Sequence, residues 1–127
     1  MPKNSKKQLA GERELQLFVQ FITAERGLSH NTLLAYRRDL RRYLAFLDEK
    51  RGGSRPRSAA KEDVASYFAW LRSTGLAASS IARAMSSLRM FHRFLHNEGL
   101  ADTNPTVNLD TPKLERTLPS VLSRNEI

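Results

Sequence analysis

The residues best equipped for chemistry in this chain are arginines set among small hydroxyl and amide side chains, in two stretches. The first opens with Ser29-His30-Asn31-Thr32 and runs through Tyr36-Arg37-Arg38-Asp39-Leu40-Arg41-Arg42. The second opens with Ser79-Ser80 and carries Arg83, Ser86, Arg89 and Arg93. A guanidinium binds phosphate oxygens and guanine edges as a planar fork, and Ser, Thr and Asn add hydrogen bonds to the same targets. Solvated helix faces more often interleave Glu with Lys or Arg, forming i,i+4 pairs. Here four arginines fall within six residues of the first stretch, and no acid lies between Ser79 and Asn97. Unpaired arginines on two neighbouring helices point to nucleic acid, with a merely solvated charge run as the competing reading. The reading requires these guanidinium groups to converge on one patch and to stay clear of internal carboxylates.

Ser29 is suited to cap the helix that begins here, its hydroxyl satisfying an orphan backbone amide. The remaining first-turn amides, assisted by Asn31 and Thr32, are suited to attract a phosphate. Other chemistry finds little support. His92 and His96 have the i,i+4 spacing of helical zinc sites, but no third ligand accompanies them and His92 falls beside an apolar stripe. A core or surface histidine is the preferred reading, and no metal is expected. Asp48-Glu49 and Glu62-Asp63 read as helix-end acids, the latter in a first turn where negative charge is favoured. With no cysteine, disulfides, thiolate metal sites and cysteine nucleophiles are excluded. No carboxylate set of a nuclease, phosphate-cradling glycine loop or activated nucleophile stands out, so neither a catalytic residue nor a cofactor is assigned.

The elements that must hold these side chains are helices. Gly27, Gly52-Gly53, Pro56, Gly75, Gly99, Pro105, Pro112 and Pro119 punctuate the chain, and between them apolar residues recur at three and four. This predicts helices over about 9–26, 30–50, 60–74 and 78–97, with one helical turn after Pro105, and an all-α fold. On the second helix Leu33, Tyr36, Leu40, Tyr43, Leu44 and Leu47 form one stripe, with Asn31, Arg38 and Arg42 opposite and Arg41 on the flank. On the fourth, Ile81, Ala84, Met85, Leu88, Phe91 and Leu95 form the stripe. Ser79, Arg83, Ser86 and Arg93 lie on its far side, and Arg89 flanks it. Val64, Tyr67, Phe68 and Leu71 of the third helix join the same core. The first helix is broader: Leu15, Leu17, Phe18, Val19, Phe21 and Ile22 cover about half its circumference, which implies either deep burial or a partner.

The 127 residues allow one modest core, with 40% apolar and 27% charged side chains as in ordinary soluble domains. Net charge is +8, from 21 Lys and Arg against 13 Asp and Glu, which favours polyanionic partners. No stretch approaches the roughly 18 apolar residues of a membrane span, and the basic start Met1 to Lys7 lacks a signal peptide's apolar core. A cytoplasmic protein without a membrane partner is expected. Residues 1–8 read as a disordered basic tail, 9–110 as the helical domain and 111–127 as a linker leading elsewhere.

Gly27-Leu28-Ser29 to Thr32 with Ala35-Tyr36-Arg37-Arg38-Asp39-Leu40, and Ile81 to Arg89 with Phe91 and Phe94-Leu95, resemble the N-terminal core-binding, SAM-like domain of Xer-type tyrosine recombinases. Asn104-Pro105, Thr111-Pro112-Lys113 and Leu118-Pro119 resemble that family's linker, and Leu122 to Ile127 the start of its catalytic domain. The resemblance implies an orthogonal four-helix bundle whose second and fourth helices cross the major groove of double-stranded DNA. It also implies site-specific recombination by a synapse of four protomers in the bacterial or archaeal cytoplasm, on the nucleoid, with chromosome dimer resolution in the Xer branch. Carried over by motif position, the contact residues are Ser29, Asn31, Thr32, Arg38, Arg42, Ser80, Arg83, Ser86 and Arg89. The family's catalytic arginines, lysine, histidines and tyrosine belong to a C-terminal domain. This chain is therefore expected to be a non-cleaving, monomeric fragment that touches neighbouring protomers through helix 1. Ala77-Ala78 and Ala59-Ala60 replace the usual capping residues, which blurs the starts of helices 3 and 4. Two alternatives stand beside this reading: a helical transcription regulator, and a protein-interaction module using the apolar side of helix 1.

Overall fold

The computed structural model describes residues 10–51 and 55–107. They form α1 (Glu12–Arg26), α2 (His30–Arg51), α3 (Lys61–Ser73) and α4 (Ala78–Asn97), with a 3-10 helix at Pro56–Ser58 between α2 and α3. Strands are absent among the described residues, and the fold class is all-α. The expected tail at 1–8 and linker at 111–127 lie outside the described residues.

Local chemistry sets where each helix begins and stops. The first helix starts at Glu12, three residues later than its periodicity predicts. Gly11 occupies the left-handed region at φ 93, and its carbonyl accepts the first helical bond from Leu15 at 2.9 Å. A Cβ on Gly11 would lie 2.5 and 2.7 Å from the ring carbons of Pro56, so only glycine allows the 3-10 segment to seat there. At α2 the Ser29 hydroxyl accepts the Thr32 amide at 3.2 Å, which is the cap expected. Ala60 precedes α3 and brings no side-chain acceptor, but the Asp63 carboxylate accepts the Ala60 amide at 2.8 Å. The fourth helix begins at Ala78 without a side-chain cap. Its C-terminus closes at Gly99, φ 76, with the Leu100 amide donating to Leu95 at 2.8 Å and the Gly99 amide to His96 at 3.1 Å. Beyond it, Asn104 Oδ1 accepts from the Thr106 amide and hydroxyl in a turn at 105–107, and the rest of the helical turn expected after Pro105 lies outside the described residues.

The core sits where α1 and α4 pack on α2, with α3 closing the far side against α2 and α4. The stripe of α4 is buried from Ile81 to Leu95, as is that of α3. On α2 Leu40, Tyr43, Leu44 and Leu47 are buried, while Leu33 and Tyr36 near its open end are half-buried. Each fully buried Leu or Phe contributes roughly 1.5–3 kcal/mol, which makes this stripe the main stabiliser of α2. Phe18 of α1 meets Phe91 edge-on at 5.5 Å, and Tyr43 meets Tyr67 at 5.0 Å. The breadth of α1 is only partly taken up by burial: Leu15, Phe18 and Ile22 are buried, whereas Leu17 and Phe21 remain 37% and 40% exposed.

Candidate nucleic-acid interface

All nine candidate contact residues lie at the surface or half-buried; none belongs to the core. Ser29, Asn31, Arg38 and Ser86 are exposed, and Thr32, Arg42, Ser80, Arg83 and Arg89 are half-buried. The opening of α2 is a small ordered unit, because the Ser29 hydroxyl also bonds the Thr32 hydroxyl at 3.0 Å. The amides of His30 and Asn31, ahead of it, have no internal acceptor among the described residues. Two exposed amides at a helix N-terminus favour an anion electrostatically.

Ten residues further along, about 15 Å at 1.5 Å per residue, the arginines behave differently from expectation. Arg83 of α4 is not unpaired. Its Nε and Nη2 donate to the two oxygens of Asp39 on α2 at 2.8 and 3.0 Å, a bidentate fork. Arg42 approaches the same carboxylate at 3.9 Å from the next turn of α2. The hydrogen bond to Asp39, opposed by partial burial, strengthens the hold of Arg83 on its proton. Arg41 is also engaged, its guanidinium 3.3 Å from the buried Glu12 of α1. The requirement that the guanidinium groups stay clear of internal carboxylates therefore fails for Arg41, Arg42 and Arg83. Arg42 and Arg83 can meet an anion only through the edges that Asp39 leaves exposed, 28% and 36% of their side chains. Asp39 within the run and Glu12 from α1 offset the repulsion of the clustered cations. Arg37, Arg38 and Arg93 have no carboxylate partner among the described residues.

The Asp39 fork has a consequence for layout, since it places the arginine faces of α2 and α4 side by side. Arg42 and Arg83 come together there. Ser80 and Ser86 have no hydrogen bond to an α2 candidate among the described residues, and Arg93 turns toward α1, lining a groove with Phe21, Glu25 and Arg26. Three acids that carry this architecture, Asp39, Glu12 and Glu14, went unassigned in the sequence reading. Glu14 accepts from Arg57 at 2.7 Å and ties α1 to the 3-10 segment. Burial alone would raise the Glu14 carboxyl, but the hydrogen bond and charge of Arg57 outweigh it and hold the group below its ordinary value. Only the Asp39 motif, an acid inside an arginine run, offered a signal in the sequence.

The histidine pair is split. His92 is fully buried, its Nε2 joined to the Tyr43 hydroxyl at 2.7 Å, whereas His96 is exposed. Burial pushes His92 down to about 4, so at neutral pH it is an uncharged core residue linking α2 to α4.

No helix among the described residues is long and apolar enough to cross a membrane. No solved structure matches the chain. Among named proteins it is 46% identical to the tyrosine recombinase XerD of Chlorobaculum tepidum, over 91% of this chain and 37% of that protein. It is 40% identical to XerD of Halalkalibacterium halodurans, over 89% of the chain and 38% of that protein. With the tyrosine recombinase XerC of Herpetosiphon aurantiacus the identity is 35%, over 88% and 36%. The chain thus spans well under half the length of these relatives. Residues 15–99 match the family model described as phage integrase, N-terminal SAM-like domain. Four helices in this order, with the core and the arginine faces built as above, make the chain a member of the phage integrase N-terminal SAM-like domain family.

Proposed function

We propose that this chain grips duplex DNA through α2 and α4, as the N-terminal half of the DNA clamp of a site-specific tyrosine recombinase of the Xer type. The observation that carries the reading is the Arg83–Asp39 fork, which sets two cationic helix faces next to each other on one side of the bundle. On that side Arg38 is exposed without a carboxylate partner among the described residues and serves a phosphate. The Ser29-Asn31-Thr32 opening receives a second phosphate at the start of α2. Arg42 and Arg83, fixed from behind, offer their exposed edges, and Ser80, Ser86 and Arg89 add contacts along α4. The relatives bear the name tyrosine recombinase, and strand cleavage falls to a separate catalytic domain reached through residues 111–127. No residue of this chain takes a catalytic part, and no metal or cofactor is assigned. Leu17 and Phe21 of α1 supply a contact to a neighbouring protomer on DNA, within a cytoplasmic four-protomer synapse. Resolution of chromosome dimers is the cellular role that fits the Xer resemblance.

Binding of the chain to a short duplex across salt concentrations tests this reading. Affinity is expected to fall steeply with salt, and Arg38→Ala to lower the logarithmic slope by about one. Binding that ignores salt, or none at all, would favour a protein-interaction module built on the α1 surface instead.

A further inference from the structure

We infer that Asp39 is a positioning residue for duplex recognition, its buried carboxylate fixing the spacing of α2 against α4 through the fork to Arg83. The inference rests on the DNA-binding reading above and assigns it a specificity device.

Asp39 is 2% exposed, in the middle of a helix face that otherwise carries Arg38 and Arg42. An acid there works against phosphate binding, since it cancels one positive charge of the patch. It also brings a buried carboxylate whose desolvation must be offset by good geometry. Closing the seam between two helices does not need a charge; a leucine would do that at lower cost. What a carboxylate adds is direction. Two parallel N–H···O bonds, 2.8 and 3.0 Å, fix both the separation and the rotation of the Arg83 side chain against α2, which one bond or an apolar contact would not. Asp39 adjoins Arg38 and lies one turn from Arg42, and Ser86 lies one turn along α4 from Arg83. The fork therefore sets the offset between the side chains that α2 and α4 present. Duplex sites are told apart by whether such groups meet several base pairs and phosphates in register. Arg83 still has 36% of its side chain exposed, so its anchoring does not withdraw it from the surface.

The two roles of an acid predict opposite signs, and this makes the inference testable. Wild-type chain is used to select duplexes from a randomised pool. Fluorescence anisotropy then gives affinities for a selected duplex and for a shuffled duplex of equal composition. The same pair is measured for Asp39→Asn, Arg83→Lys and the double variant, each well below its own unfolding midpoint by circular dichroism. Positioning predicts that the selected-to-shuffled ratio falls about tenfold in Asp39→Asn, the size of one lost base-pair discrimination. Affinity for the shuffled duplex holds or tightens, because a negative charge is gone. Arg83→Lys keeps the charge but loses the fork, and it lowers the ratio similarly; the double variant is no worse than either single one. An unchanged ratio, equal tightening on both duplexes, or effects that multiply in the double variant would overturn the inference. Should Asp39→Asn not fold, an unchanged ratio in Arg83→Lys overturns it alone. A wild-type chain that binds no duplex defeats the DNA-binding reading first, whereas a wild-type ratio of one defeats only the specificity device.

Discussion

Acidification from pH 7.5 to pH 5 acts on one buried side chain before it reaches most carboxylates. His92 is fully buried, with Tyr43 on its Nε2 at 2.7 Å and the Phe91 ring at 5.7 Å. No charged partner there compensates a proton, so burial lowers the group from 6.5 to about 4. Its folded pKa lies below the unfolded one, hence the unfolded chain binds more protons between those values and stability falls as pH falls. The shift corresponds to roughly 3 kcal/mol in full at about 1.4 kcal/mol per unit. Most of it, about 2 kcal/mol, is lost by pH 5, and the loss levels off below pH 4. Glu14, whose carboxyl is held low by Arg57, adds its own loss only at lower pH. Urea unfolding followed by circular dichroism at pH 7.5, 6.5, 5.5 and 5.0 measures the effect. The midpoint should move down across this range with the slope of the transition unchanged. In His92→Gln, already less stable at pH 7.5, the change between pH 7.5 and 5 should be mostly absent. Equal pH dependence in wild type and variant would refute the assignment to His92.

Gly11→Ala places a Cβ within 2.7 Å of Pro56 at a φ of 93, so it should cost about 1–3 kcal/mol and lower the thermal midpoint by several degrees. Pro56→Ala relieves the clash but not the backbone, and a double variant as stable as wild type would contradict this account. Leu17→Ser and Phe21→Ser alter exposed apolar positions on α1. Both should leave affinity for a duplex holding one chain unchanged while reducing cooperative loading of a duplex holding two, read by gel shift; unaltered cooperativity would remove α1 from the protomer contact.

Much of the fold was legible because helix periodicity is local. The stripes Ile81 to Leu95 and Leu40 to Leu47 face the core as their spacing predicts, and α2 and α4 begin where expected. The entry of α1 was not legible: residues 9–11 look helical by pattern, but Pro56, 45 positions away, packs against a left-handed Gly11. Arg41 and Arg83 failed for the same reason, whereas the acid of Arg42, Asp39, lies only three residues before it. Sequence spacing reveals i,i+4 pairing, and Arg83 looks free by that test, yet its acid sits on another helix 44 residues away. Arg57 and Glu14 are separated by 43. His92 was readable as a core residue because it adjoins the α4 stripe, while its Tyr43 partner was not.

The proposed interface is tested most directly by the amide spectrum of the isotopically labelled chain during titration with a short duplex at low salt. The largest shifts should fall at Ser29 to Thr32, around Arg38 and Arg42, and from Ser80 to Arg89, and fade together as salt is raised. Shifts confined to the Leu17 and Phe21 side of α1, or scattered without regard to α2 and α4, would contradict a duplex held between those two helices.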